Sequence, residues 1–304
     1  MFPITGPSGQ KSLCRLIVDL SPGLVFLKNR PIGNRKLEMT ITSRDNALLR
    51  HARAVRDGNV DESIFVEGLR LCEEALTSGL NIEAVIHSEE IIRKDRAARL
   101  IRQLAAAGQR VGSVSEKLLE SISYTKTPQG IVVLASRPAH DEGTFKLRQP
   151  SAPLLMILHG INNPVNVGAI LRTAEAAGVT GAIATARTAD AFSPKALRGA
   201  MGSAFRLPIW TGAEYSDVLS WCGERGVRTI CGAARAPKMH VDLDWRGAVA
   251  VIVGPESTGL SLEEITLADE AVRIPMHGAV ESLNVAVATG VILYEANRQR
   301  AQRG

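Results

Sequence analysis

From Met39 onward the apolar positions switch between two spacings. Runs with apolar residues three and four apart predict helices over 46–56, 69–78, 92–107 (closed by Gly108) and 116–123. Short β-branched or continuous apolar runs predict strands over 63–66, 82–87, 111–114 and 131–135. After a stretch with Pro138, Gly143, Pro150 and little periodicity, the alternation resumes. Strands are expected over 154–159, 181–184, 207–210, 229–231, 248–253 and 271–274, with helices over 165–177, 194–199, 216–224 and 283–298. The order reads as α/β: a small unit over 39–137, a linker over 138–152, and a parallel sheet with helices on both faces over 153–304. The run Leu154–His159 is apolar throughout, as befits a strand covered on both faces. Residues 1–38 hold Pro3, Pro7, Pro22 and Pro31 and no sustained period. They are expected to be a disordered extension or not native, with Met39 the natural start.

The chain has 304 residues, 45% of them apolar and 22% charged, enough for two ordinary cores. No apolar run approaches the ~18 residues of a membrane span. Four cysteines, Cys14, Cys72, Cys222 and Cys231, are scattered without paired spacing, which argues against a disulfide scaffold or a structural zinc. A reducing, cytoplasmic compartment is expected. The net charge of +5 is a weak pointer to nucleic acid, because residues 1–38 carry six basic and two acidic residues and so account for most of it. A local cluster says more: Arg44, Arg50, Arg53 and Arg56 lie on or just before the first helix, where they form either an RNA contact or a solvated face.

Dinucleotide, P-loop, HExxH and GxSxG signatures are absent, and no metal is expected. Three segments carry the candidate chemistry. In Asn162-Asn163-Pro164-Val165-Asn166-Val167-Gly168-Ala169-Ile170-Leu171-Arg172, Asn163 suits a helix cap and Pro164 the first turn. Asn166 and Arg172 lie about 240° apart on that helix and need not share a face. In Gly254-Pro255-Glu256-Ser257-Thr258-Gly259-Leu260, an apolar strand ends in a glycine-rich loop bearing one carboxylate, where open α/β sheets bind ligands. The third runs Ile274-Pro275-Met276-His277-Gly278-Ala279-Val280-Glu281-Ser282-Leu283-Asn284-Val285-Ala286-Val287-Ala288, with Ser282 placed to cap the last helix. That helix is apolar almost all round, so deep insertion, a subunit interface or both must cover it.

In this order the three segments resemble the SpoU branch of the SPOUT RNA methyltransferases, also called the TrmH family. Phe65-Val66-Glu67-Gly68 and Thr127-Pro128-Gln129-Gly130 more loosely resemble the family's N-terminal, L30e-like substrate-binding domain; Asp57–Glu62 departs from its usual short basic linker. The resemblance implies a C-terminal SPOUT fold with a deep trefoil knot, a homodimer, and methyl transfer from S-adenosyl-L-methionine to an RNA ribose 2′-hydroxyl without a metal. It places Gly254, Ile274, Met276 and Leu283 at the cofactor. It places Arg172, Asn166, Glu256, Ser282 and Asn284 at the reaction, with Glu256 holding the knot loops and positioning Arg172. Guanidinium keeps its proton too tightly to make an easy base, so phosphate binding and alkoxide stabilisation are the expected role of Arg172. The Arg44–Arg56 cluster, Lys126 and Gln129 are the expected RNA contacts. 23S rRNA is the leading substrate. The alternatives are tRNA 2′-O-methylation, modification of a drug site in 23S rRNA, base methylation, and a non-catalytic RNA-binding or ribosome-assembly factor.

Overall fold

The computed structural model describes residues 38–107, 109–146 and 152–302. The extension expected over 1–38 lies outside these residues apart from Glu38, as does Gly108.

The first domain runs β1 (Glu38–Ile41), α1 (Ala47–Arg56), β2 (Ser63–Glu67), α2 (Leu69–Thr77), β3 (Ile82–Ser88), α3 (Asp95–Ala106), β4 (Arg110–Val114), α4 (Glu116–Ile122) and β5 (Ile131–Ser136). Its strands lie in the order β1-β4-β3-β5-β2. β5 is antiparallel to β2 and β3, whereas β4 is parallel to β3 and β1, so the sheet is mixed. The helix expected from residue 92 begins at Asp95, because Ile91–Arg93 forms a 3-10 turn and Lys94 is extended.

The second domain runs β6 (Ala139–His140), β7 (Leu154–Leu158), α5 (Pro164–Ala176), β8 (Gly181–Thr185), α6 (Pro194–Ala200), α7 (Ser203–Arg206), β9 (Ile209–Ala213), α8 (Tyr215–Glu224), β10 (Arg228–Gly232), β11 (Lys238–Met239), β12 (Val249–Val253), α9 (Leu262–Leu267), β13 (Glu270–Arg273) and α10 (Val285–Ala301). The strand order is β11-β13-β10-β12-β7-β8-β9-β6, with every pairing parallel. β7, β8 and β12 are buried at every position, as continuous apolar strands between two helical layers must be. The strand expected over 207–210 starts two residues later. Pro208 has no N–H to donate, and only its carbonyl joins the sheet, accepting from the Ala182 amide.

Part of the stretch expected as a linker, within 139–145, joins the second domain. Its Ala139–His140 pairs with Ile209 and Trp210 at the sheet edge, and Phe145 packs its ring against Trp210 and Trp221. The two domains share one buried apolar cluster, which runs from Ile64, Val66 and Leu71 to Leu197, Ala204 and Phe205. Arg206 pairs with Glu175 of its own domain and with Glu74 of the first. Arg137 reaches Asp190 at 3.1 Å while its guanidinium lies over the Phe192 ring. Among the described residues no helix is long and apolar enough to cross a membrane, and no group of His, Cys, Asp and Glu suits a metal ion.

α5 and α6 touch at their backbones. A Cβ on Gly168 would stand 2.3 Å from the Ala196 carbonyl oxygen and 2.9 Å from the Gly199 Cα. In an open helix, glycine-to-alanine is stabilising by about 1 kcal/mol. Here the added carbon has no room, and overpacking of this kind costs roughly 1–3 kcal/mol. Gly168→Ala is therefore expected to lower stability in urea unfolding; an unchanged or raised midpoint would show that the two helices do not meet this closely.

Candidate active site

The carboxyl ends of β7 and β12 lie side by side, with the His159 amide bonded to the Val253 carbonyl at 2.9 Å. Each strand then turns sharply. After β7, Asn163 caps α5 by accepting from the Val165 amide at 3.0 Å, and Pro164 opens the helix, as expected. After β12, Gly254 is buried, and a Cβ there would run into the Leu260 backbone nitrogen at 2.8 Å. Glycine is required because the loop closes on itself at that point.

Glu256 spans the two turns. It accepts from the amides of Asn162 and Asn163, both at 3.2 Å, and from Asn166 Nδ2 at 3.0 Å. Asn166 Oδ1 in turn accepts from Asn284 Nδ2 at 3.2 Å. Asn284 Oδ1 caps α10, accepting from the Ala286 amide at 3.0 Å. The cap of the last helix is thus Asn284 rather than Ser282: its backbone has the non-helical geometry of a cap and its carboxamide reaches the free amides. Asn284 caps one helix and braces another. Partial burial pushes the Glu256 carboxyl upward, but the bond from Asn166 and the two amides outweigh it and hold the group below its ordinary value.

The residues expected at the reaction are not all drawn together. Asn166, Glu256 and Asn284 form one chain of hydrogen bonds. Arg172 is exposed about 9 Å further along α5 and bonds to none of them, so Glu256 does not position it through a direct contact. Ser282 is exposed and without a hydrogen bond among the described residues. At the positions expected to meet the cofactor, Ile274 and Met276 are half-buried and Leu283 is 37% exposed. Ile274, Val285 and Ala286 pack on the same buried cluster as Leu158 and Val253. These side chains are apolar and uncharged. They fit a ligand with an aromatic base and a sulfonium, which a neighbouring cation would repel.

The expected RNA contacts divide. Arg44 and Arg50 are exposed. Arg53 donates to the Arg44 carbonyl at 2.8 Å, and Arg56 holds Asp57 and the carbonyls of Ser121 and Ser123, so these two brace α1. Lys126 and Gln129 are exposed on the loop before β5. Motif reading missed how this loop is held. Glu67, 6% exposed, accepts from the amides of Tyr124 and Thr125 and from the Thr125 hydroxyl. A lone carboxylate ending an apolar strand was the available signal.

Residues 153–294 match the model of the SpoU rRNA Methylase family, and residues 50–133 match the MRM3-like substrate binding domain. A 23S rRNA (guanosine-2′-O-)-methyltransferase RlmB from Burkholderia sp is 36% identical over 214 residues, 69% of this chain and 87% of that protein. The chain belongs to the SpoU rRNA methylase family. It is an S-adenosylmethionine-dependent RNA 2′-O-ribose methyltransferase. Among solved structures, the AdoMet-bound rRNA methyltransferase from Sinorhizobium meliloti superposes with a TM-score of 0.75 at 29% identity, covering 86% of this chain and 98% of that one. The SpoU methyltransferase AviRb from Streptomyces viridochromogenes, in complex with AdoMet, superposes at 0.74 with 27% identity, covering 84% and 98%.

The lowered Glu256 carboxyl makes the clasp pH-dependent. A carboxyl depressed on folding contributes stability that is present above its unfolded value near 4.5 and lost as pH falls below it. Glu256→Gln keeps one acceptor and loses the charge, at a cost of about 0.5–1 kcal/mol at this exposed site. The gap between wild type and variant in urea unfolding should be present at pH 7 and narrow toward pH 4. A gap that widens on acidification would contradict the clasp.

Proposed function

We propose that this enzyme methylates the 2′-hydroxyl of a guanosine in 23S rRNA. The observation that carries this reading is the pairing, in one chain, of the Glu256–Asn166–Asn284 chain with a substrate-binding domain. The RlmB relative, whose name specifies that reaction, is matched across both domains. Acting on rRNA, the enzyme works in the cytoplasm.

S-adenosylmethionine supplies an electrophilic methyl group. The protein's own task is alignment and charge. Gly254, Ile274, Met276 and Leu283 hold the cofactor in loops that we read as those of the trefoil knot. Asn166 and Asn284 orient the ribose, each with its amide direction set by the bond it makes to its neighbour. Glu256 fixes that direction at its source, since a carboxylate only accepts and so turns the Asn166 NH2 toward itself. Arg172 binds an RNA phosphate and stabilises the negative charge that develops on the 2′-oxygen as its proton passes to solvent water. Ser282 meets the substrate from the loop before α10. Arg44, Arg50, Lys126 and Gln129 contact the RNA.

We also read the enzyme as a homodimer. α10 carries an exposed apolar stripe of Val287, Val291 and Tyr294 at 54%, 37% and 54% exposure, with Val165 of α5 also exposed. A second copy would cover this face.

Incubation with labelled S-adenosylmethionine and protein-free 23S rRNA, 16S rRNA and total tRNA tests the reading, followed by nucleoside mass spectrometry. Label in 2′-O-methylguanosine from 23S rRNA is expected. Arg172→Ala should reduce it by 100-fold or more, in line with the roughly 10²–10³-fold loss on removing one oxyanion donor, with cofactor affinity kept. Label confined to tRNA or 16S rRNA, or to a base, would overturn the assignment.

A further inference from the structure

A cavity at the domain boundary lies away from the motif loops. It has a volume of about 610 Å³ and is lined by Leu69, Ile91, Lys94, Thr125, Lys126, Thr127, Pro128, Gln129 and Arg198. Eight of these residues belong to the first domain; Arg198 comes from α6 of the second.

The cavity is built rather than incidental. Its floor is aliphatic, formed by Leu69, Ile91 and Pro128. Gly130, at φ +85°, admits the Ile91 side chain, which a Cβ would meet at 2.6 Å. Gly68, at φ +104°, leaves room for the Gln129 carboxamide, whose oxygen a Cβ would meet at 2.5 Å. The buried Glu67 holds the 124–125 backbone that forms one wall.

Its rim is cationic. Lys94, Lys126 and Arg198 are exposed, and among the described residues none is paired with a carboxylate. Among the described residues, no acidic side chain lines the cavity. Unneutralised cations around an apolar floor suit an anion joined to a flat apolar group. A nucleotide has that composition, and only an unpaired one can turn its base into a cavity.

Arg198 links the cavity to the reaction site. Its neighbour Gly199 lies against α5, where a Cβ would meet the Val165 carbonyl oxygen at 3.3 Å. Val165 directly precedes Asn166. The wall of the cavity and the asparagine network therefore share one rigid helix pair.

We propose that this cavity is a nucleotide subsite. It grips one unpaired nucleotide of the RNA substrate and its flanking phosphates between the two domains. Lys94, Lys126 and Arg198 hold the phosphates, Leu69, Ile91 and Pro128 support the base, and Gln129 offers its edge an amide. The proposal rests on RNA being the substrate, but not on which nucleotide is methylated. Held there, the strand is fixed at a set distance from the ribose on the far side of the α5–α6 pair, so the subsite selects RNA in which an unpaired nucleotide flanks the target.

The test uses the full-length protein and a fluorescent single-stranded RNA oligonucleotide, with an RNA duplex of equal length as comparison. Affinity is measured from 50 to 300 mM KCl for wild type, Lys94→Ala, Lys126→Ala, Arg198→Ala, Arg198→Lys and the Lys126→Ala/Arg198→Ala pair; cofactor affinity is measured separately. Each alanine should weaken single-strand binding about three- to tenfold and reduce the salt slope by about 0.7. Arg198→Lys should restore the slope. The paired variant should lose less than the product of the single losses, because both cations grip one nucleotide. Duplex affinity should change little. A wild-type affinity and slope for Arg198→Ala, or equal losses on duplex and single strand, would overturn the proposal. A wild type that binds the strand in this way yet methylates no 23S rRNA would instead overturn the substrate assignment and leave the subsite standing.

Discussion

The arrangement of the candidate active site depends on one chain of hydrogen bonds, Glu256 to Asn166 to Asn284. Its members lie 90 and 118 residues apart in sequence and come from three separate turns. Glu256 is acceptor-only, so the Asn166 amide must present its NH2 to it and its oxygen to Asn284. Asn284 then spends its own oxygen on the cap of α10. Each amide has one sensible orientation, and both follow from the carboxylate. The first turn of the last helix, the first turn of α5 and the loop after β12 are thereby held as a unit, although two of the three are exposed to water.

The sheet makes this possible. β12 and β7 are adjacent, parallel and buried, so their carboxyl ends deliver both loops to one edge. The far end of α10 is anchored as well: Gln299 and Arg300 bond to the Leu243 and Trp245 carbonyls, and the Trp245 ring is fully buried. With both ends fixed, α10 has little freedom to move its cap. The substrate-binding domain is coupled to the same frame through the shared apolar cluster and through Arg206, which bonds to Glu74 and Glu175 together.

Much of this was legible in the amino-acid pattern, and the exceptions have a common cause. The long elements follow from periodicity, and the cap at Asn163 with Pro164 follows from local chemistry. Short elements without a period, such as β1, β11, α7 and α9, did not register. Ser282 and Asn284 are equally good caps by composition; the choice falls to Asn284 because Asn166 waits beside it. Arg53 and Arg56 look like their neighbours Arg44 and Arg50 until Ser121 and Ser123 present their carbonyls from another helix. Gly168 reads as a poor helix residue until α6 is seen against it. Phe145 reads as part of a linker until Trp210 and Trp221 flank its ring. In each case the deciding partner is remote in sequence, and local spacing carries no record of it.

In this arrangement the three loops act as one unit through Asn166. A double-mutant cycle on the rate of methyl transfer, with Glu256→Gln, Asn284→Ala and both together, tests it most directly. No direct bond joins Glu256 to Asn284, so any coupling must pass through the amide between them. Strong non-additivity is expected, with the double variant little slower than the worse single variant. Losses that multiply would mean that each residue acts independently, and would contradict that coupling.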